Sequence, residues 1–280
     1  MNYIEGSFST PDNTLLYSRM YENENAHSHI LLVHGFGEHS GRYEALIAHL
    51  LGKGYSVTVY DQRGHGKSAG LYGHVDRFAQ YEEDLDFMVS VVNSHNESKK
   101  LFLVAHSMGG LVALRYLMRQ PWAVMGAVIS APLVEIATKV PAHKRFIAKM
   151  SAALVPRMRM ANEINPSVLS RDAEVGRAYA ADPLVGKMVS TRWFSEALKA
   201  MDELKRSAPQ ISVPLLVMHG TEDKLANVEA TKNLFANVGS ADKRLKIYEG
   251  YYHELFNEPE KQEIYERVTD WLELRSLFFS

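Results

Sequence analysis

Leu101-Phe102-Leu103-Val104-Ala105-His106-Ser107-Met108-Gly109-Gly110-Leu111-Val112-Ala113-Leu114 is the stretch that decides the reading of this chain. Four consecutive apolar residues, Leu101–Val104, predict a short strand buried on both faces. From Met108 to Arg119 the sequence carries good helix formers and predicts a helix. The turn between them is tight and needs small residues near its tip, which Ala105 and Gly109 supply on either side of Ser107. Such a turn lifts the Ser107 hydroxyl clear of the strand end. The free N–H groups and the dipole at the start of the helix favour negative charge developing beside it. Ser107 is therefore the candidate nucleophile. Ala105 stands where this kind of turn more often has Gly.

A serine hydroxyl is a weak nucleophile and needs a base that an acid holds in place. On a strand–Ser–helix scaffold the acid and then the histidine follow in chain order. His219-Gly220-Thr221-Glu222-Asp223 comes after the apolar run Leu215–Met218, and Glu249-Gly250-Tyr251-Tyr252-His253 comes after Leu245–Tyr248. Asp223 is read as the orienting acid, with Glu222 as the alternative, and His253 as the base. Among the 12 histidines, His34, His65, His106 and His219 fall in motif loops, where holding backbone is the expected role. An oxyanion needs two converging N–H donors. Met108 supplies one, and Phe36 in His34-Gly35-Phe36-Gly37-Glu38 supplies the other, its neighbouring glycines allowing the turn that aims it.

The same alternation extends in both directions. Short apolar runs at His29–Val33, Tyr55–Tyr60, Leu101–Val104, Ala127–Ile129, Leu215–Met218 and Leu245–Tyr248 alternate with helical patterns at Arg42–Leu51, Ala79–Asn96, Met108–Arg119, Glu229–Asn237 and Glu260–Ser276. This predicts an α/β fold with a mostly parallel central sheet and helices on both faces. Asn2–Thr10 and Thr14–Tyr21, separated by Pro11-Asp12-Asn13, predict an antiparallel hairpin at the N-terminus. Between Pro132 and Gln210 only helical patterns are evident. The expected organisation is a core of residues 1–131 and 211–280 with a helical cap inserted at 132–210.

Composition narrows the function classes. The chain has 280 residues, 46% of them hydrophobic and 23% charged, with a net charge of -2, which points away from nucleic acid. The absence of cysteine excludes disulfides, thiolate metal sites and a cysteine nucleophile, and fits a reducing, cytoplasmic setting. The N-terminus lacks the charged and apolar regions of a signal peptide. No apolar run reaches the roughly 18 residues of a membrane span. Gly64-His65-Gly66-Lys67-Ser68 resembles the end of a phosphate-binding loop, but Val59 stands where that motif requires glycine. His27, His29 and His34 lie close together without a carboxylate cluster, so neither a metal nor any other cofactor is expected.

Three of these motifs, His34 to Tyr43, Gly64 to Ser68 and His106 to Gly110, resemble the monoacylglycerol lipases and lysophospholipases of the α/β-hydrolase fold. The similarity continues through Ser167–Arg171 and Asp182–Leu184 in the cap and ends at Ile247–His253. The resemblance implies hydrolysis of a single-chain acyl ester by Ser107, Asp223 and His253. It also makes the cap residues Glu135 and Tyr179 candidate contacts to the leaving alcohol. Phe36 departs from the small residue usual at its position. A general carboxylesterase or a peptidase of the same fold is the alternative enzyme. An inactive relative acting as a binding module is weighed against the ordered serine, acid and histidine.

From Ile136 through Asn162 there is no acidic residue, while Lys139, Lys144, Arg145, Lys149, Arg157 and Arg159 are basic and interleaved with apolar residues. Such a stretch suits peripheral contact with an anionic membrane. A cap helix packed on the body with a solvated basic face is the competing reading.

Overall fold

The computed structural model describes residues 3–95, 100–138, 150–162 and 164–278. Its central sheet has eight strands: β1 (Ile4–Ser9), β2 (Leu15–Tyr21), β3 (Ser28–Val33), β4 (Ser56–Tyr60), β5 (Lys100–His106), β6 (Gly126–Ser130), β9 (Leu215–Gly220) and β10 (Lys243–Tyr248). Their spatial order is β1-β2-β4-β3-β5-β6-β9-β10. β1 and β2 form the expected hairpin, with Ile4 opposite Met20, and β2 joins β4 antiparallel. Every other pairing is parallel.

The central strands are apolar on both faces because both are covered. Along β5, Leu101, Leu103 and Ala105 pack into one layer with Tyr81 and Leu85 of α2 (Ala79–His95) and Leu111 and Leu114 of α3 (Met108–Arg119). Phe102 and Val104 pack into the other layer, against Ile47 and Leu50 of α1 (Glu44–Gly52) and Val268 and Trp271 of the C-terminal helix Lys261–Phe278. Each such side chain, fully removed from water, contributes about 1.5–3 kcal/mol. The packed layers leave the C-terminal ends of β3, β5, β6, β9 and β10 along one edge, where Gly35, Ser107, Asp223 and His253 follow in loops.

Between β6 and β9 the chain leaves the sheet. This segment includes the helices α4 (Ala173–Ala181) and α5 (Thr191–Ser207), as helical patterning predicts. It also contains two strands that the sequence reading missed, β7 (Arg159–Ala161) and β8 (Met188–Ser190), paired antiparallel. Each is three residues long, too short for a period-2 pattern, and Met160 and Met188 are not β-branched. Lys139, Lys144, Arg145 and Lys149 lie outside the described residues. The segment is stitched to the body at several points. Leu133 N–H donates to the Ser107 carbonyl at 3.0 Å, Glu254 N–H to Leu169 at 2.7 Å and Gly186 N–H to Gly37 at 3.2 Å. Among the described residues no helix is long and apolar enough to cross a membrane.

Candidate active site

Ser107 sits between β5 and α3 with φ +54° and ψ −118°. A residue with a Cβ rarely adopts positive φ and does so only where its surroundings over-determine it. Here Ser107 N–H is held by the Ser130 carbonyl at 3.0 Å, and its own carbonyl accepts from Leu111 and Leu133. Gly109 lets α3 approach β3, since a Cβ there would meet the Val33 and His34 carbonyl oxygens at 2.4 Å. Ala105 is wholly buried with its methyl in the core layer, so the extra bulk is absorbed.

The structure brings Ser107, His253 and Asp223 together. Ser107 Oγ lies 2.9 Å from His253 Nε2, and His253 Nδ1 lies 2.6 Å from Asp223 Oδ2. Asp223 accepts at Nδ1, so that nitrogen carries the proton and Nε2 is free to take one from Ser107. All three side chains are buried. Burial alone would lower the imidazole pKa, but the charge and hydrogen bond of Asp223, then the charges of Glu254 and Glu38, hold it above the usual histidine value. Burial likewise pushes Asp223 upward, but His253 and His219 outweigh it and keep the carboxyl far below the ordinary range. Glu222 is exposed and paired with Lys224 at 2.8 Å, away from His253's partner position.

The loop carrying Phe36 is held by a buried ion cluster. Glu38 Oε1 accepts from Gly35 N–H and from the Tyr43 hydroxyl, both at 2.6 Å, while Glu38 Oε2 pairs with Arg42 at 2.9 Å. Arg42 also makes a two-pronged contact with Glu254, at 2.7 and 2.9 Å. Glu38 and Arg42 stand four residues apart, whereas Glu254 lies 212 residues beyond Arg42. Burial raises the Glu38 pKa, but Arg42, His106 and His34 reverse this and bring it down to about 2. With Gly35 N–H committed to Glu38, the next N–H is that of Phe36. Neither it nor Met108 N–H has a partner among the described residues. A Cβ on Gly35 would come within 3.1 Å of Ser107 Cβ, which places this loop directly against the serine.

Above Ser107 lies a cavity of about 620 Å³, whose wall includes Leu133, Ile136, Met158, Ile164, Phe194, Leu198 and Met201. Phe36 also lines it and stacks on Trp193 of α5 with ring centroids 4.2 Å apart. Tyr179 lines the cavity under the Arg42 guanidinium, and its hydroxyl has no hydrogen-bond partner among the described residues. Glu135 does not meet its expectation. It is exposed, bound to Lys205 at 3.1 Å and to Asn227, and stands outside the cavity lining because its side chain points away from the wall that Leu133 and Ile136 help form, toward α5 and the loop after β9.

The motif-loop histidines divide. His34 holds backbone, at Gly35 and Gln62, and His65 contacts the Arg63 carbonyl. His106 instead stacks on His253 at 4.7 Å, and burial, then the charge of His253, lowers it to about 4. His219 contacts the Asp223 side chain, which its sequence position gave no means to see.

An eight-stranded, mostly parallel sheet with a serine raised at the β5–α3 turn and helices on both faces defines the class, an α/β-hydrolase. Residues 24–260 match the family model Hydrolase_4, described as serine aminopeptidase, S33, and the chain belongs to that family. It is 33% identical over 244 residues to a monoacylglycerol lipase of Mycolicibacterium smegmatis, covering 87% of each chain. It is also 33% identical over 248 residues to an uncharacterized abhydrolase domain-containing protein of Dictyostelium discoideum, covering 88% of this chain but spanning only 26% of that longer protein. Among solved structures, the monoacylglycerol lipase of Paleococcus ferrophilus superimposes with a TM-score of 0.83 at 31% identity, over 98% of this chain and all of that one.

Proposed function

We propose that this chain hydrolyses the ester bond of single-chain acyl lipids, monoacylglycerols foremost. The observation that carries this reading is the hydrogen-bonded run Ser107–His253–Asp223 opening into a largely apolar cavity of about 620 Å³. An acyl chain fits such a wall. The names of the lipases it resembles support the same substrate class.

In this reading His253 takes the Ser107 proton as Oγ attacks the ester carbonyl. The Phe36 and Met108 N–H groups hold the oxyanion. His253 then protonates the leaving alcohol, and a water molecule repeats the sequence to free the acid. Residues 132–210 act as a cap over this chemistry. Of the two candidate alcohol contacts Tyr179 is the better placed, since it lines the cavity and Glu135 does not.

The cap also supplies a route for substrate from lipid. Leu154 is 76% exposed, and Val155, Met158 and Met160 are exposed beside Arg157 and Arg159. Met158 and Met160 also line the cavity, so this apolar and basic lip borders its mouth. Peripheral contact with an anionic surface through the lip follows.

The test is turnover of monoacylglycerols, lysophospholipids and p-nitrophenyl esters of graded chain length by wild type and Ser107→Ala. The substitution should cost on the order of 10⁶ in turnover, the scale known for loss of a serine nucleophile from such a triad. Equal activity of both forms, or no acyl ester cleaved by wild type, refutes the reading. Co-sedimentation with anionic and neutral liposomes, comparing wild type with charge reversals at Arg157 and Arg159, tests the lip. Binding indifferent to both charge changes removes it.

A further inference from the structure

We propose that His219 is a positioning residue for the reaction, holding the Asp223 carboxylate through a second imidazole hydrogen bond; this rests on Ser107, Asp223 and His253 acting as above. His219 is the fifth residue of β9 and is wholly buried. Leu215 and Val217, which share its face of the strand, pack into the apolar layer with α3. An apolar side chain would suit that face, so a buried imidazole there calls for a specific partner.

The partner is Asp223. His219 Nε2 lies 2.9 Å from Asp223 Oδ2, the same oxygen that His253 Nδ1 contacts at 2.6 Å. Among the described residues its only other neighbour at hydrogen-bond range is the Ala226 carbonyl at 3.3 Å. Both neighbours are acceptors, and His219 Nδ1 has no partner among the described residues. The ring proton therefore sits on Nε2. Asp223 Oδ1 is meanwhile occupied by the Leu225 and Ala226 N–H groups, at 2.8 and 2.9 Å. Four donors thus converge on one carboxylate, two per oxygen, which fixes its plane and leaves no lone pair directed elsewhere.

The consequence for catalysis is a shared oxygen. Oδ2 divides its negative charge between two imidazoles, only one of which faces Ser107. Without the His219 bond, Oδ2 is freer to move and presents more charge to His253. The other groups that bear on His253, namely Glu254, Glu38 and His106, are untouched by the change. More charge at Oδ2 favours the imidazolium, so the base becomes harder to deprotonate. Looser placement lowers the rate even where the base is neutral.

The experiment compares His219→Leu, which fills the site and removes the donor, with His219→Gln, whose amide reaches a similar point and keeps one. His219→Leu should lose about tenfold in kcat, the lower end of what outer-shell hydrogen bonds contribute to orienting functional ligands. The acid limb of its kcat/KM–pH profile should move upward by about half a unit, well within what one bond to a carboxylate commands. His219→Gln should restore both. A His219→Leu protein with wild-type kcat and an unmoved acid limb overturns the proposal, as does a Gln variant that is impaired equally.

If His219→Leu does not fold, nitrogen NMR of wild-type protein labelled at histidine decides: an Nδ1-protonated His219 overturns the proposal, and an Nε2-protonated one supports it. Labelling of Ser107 by a fluorophosphonate, run in parallel, separates the two levels. If Ser107 does not react in wild type, the parent reading fails. If it reacts and His219 variants behave as wild type, only this inference fails.

Discussion

Replacing Arg42 by methionine should destabilise the protein far more than a surface charge deletion. Its guanidinium stands between Glu38 and Glu254, and the three side chains are only 9%, 4% and 5% exposed. Methionine retains the apolar stem but leaves two carboxylates buried without their shared counter-charge. Removing one partner of a buried ion pair costs about 3–5 kcal/mol. For a chain of this size that corresponds to a fall in Tm on the order of 10 °C.

The pH dependence gives the argument a sharper edge. In wild type the Glu38 pKa is held down at about 2, so this group's stabilisation is present above its unfolded pKa and is lost only as pH falls toward 2. In Arg42→Met, burial without the guanidinium raises the folded pKa above the unfolded value. The sign then reverses: the carboxyl is accommodated when protonated and destabilises the fold as pH rises. Urea denaturation of both proteins at pH 7, 6 and 5 should therefore show a gap that is widest at pH 7 and narrows toward acid. A Tm change below about 2 °C, or a gap that widens on acidification, refutes the assignment of Arg42 as the counter-charge.

Asp223→Asn should reduce kcat about 10⁴-fold, because an amide in place of Oδ2 directs N–H toward two imidazole N–H groups and favours the wrong His253 tautomer. Glu222→Gln, altered at an exposed residue paired with Lys224, should keep near wild-type kcat; the opposite ranking transfers the acid role. Because His253 must be neutral to accept a proton and its pKa is raised, the acid limb of kcat/KM should fall at a pH above the ordinary histidine value of about 6.5. A midpoint below that value contradicts the electrostatics. Gly109→Ala should yield little folded protein, since its methyl meets two backbone oxygens that cannot move without breaking β3. Soluble, active Gly109→Ala shows that α3 can shift.

What the sequence made legible was local. The apolar run, Ser107 and the helix former after it are contiguous, and the tight turn between β5 and α3 needs only those residues. The alternation of strand and helix likewise follows from short-range patterning. The unread parts depend on contacts far apart in the chain. Arg42 meets Glu254 only because β3 and β10 end along one edge of the sheet, and no spacing rule reports that. Glu135 illustrates the reverse case, since a family role was carried to a residue whose side chain reaches outward to Lys205. The β7–β8 ribbon escaped because its six residues lack any pattern beyond their mutual pairing.

The hydrogen bond from Leu133 N–H to the Ser107 carbonyl has a practical meaning for chimera design. The inserted segment begins by completing the backbone around the serine, and it touches the Phe36 loop again through Gly186 and the residue after His253 through Leu169. A graft that imports a foreign segment between β6 and β9 therefore imports or deletes backbone support around Ser107 as well. Junctions placed after Leu133, with the acceptor at Leu169 and the donor at Gly186 kept, retain these backbone contacts while the cavity wall is exchanged. Junctions cut at Pro132 exchange the wall and part of the serine's support together, and activity lost in such a hybrid does not separate geometry from substrate fit.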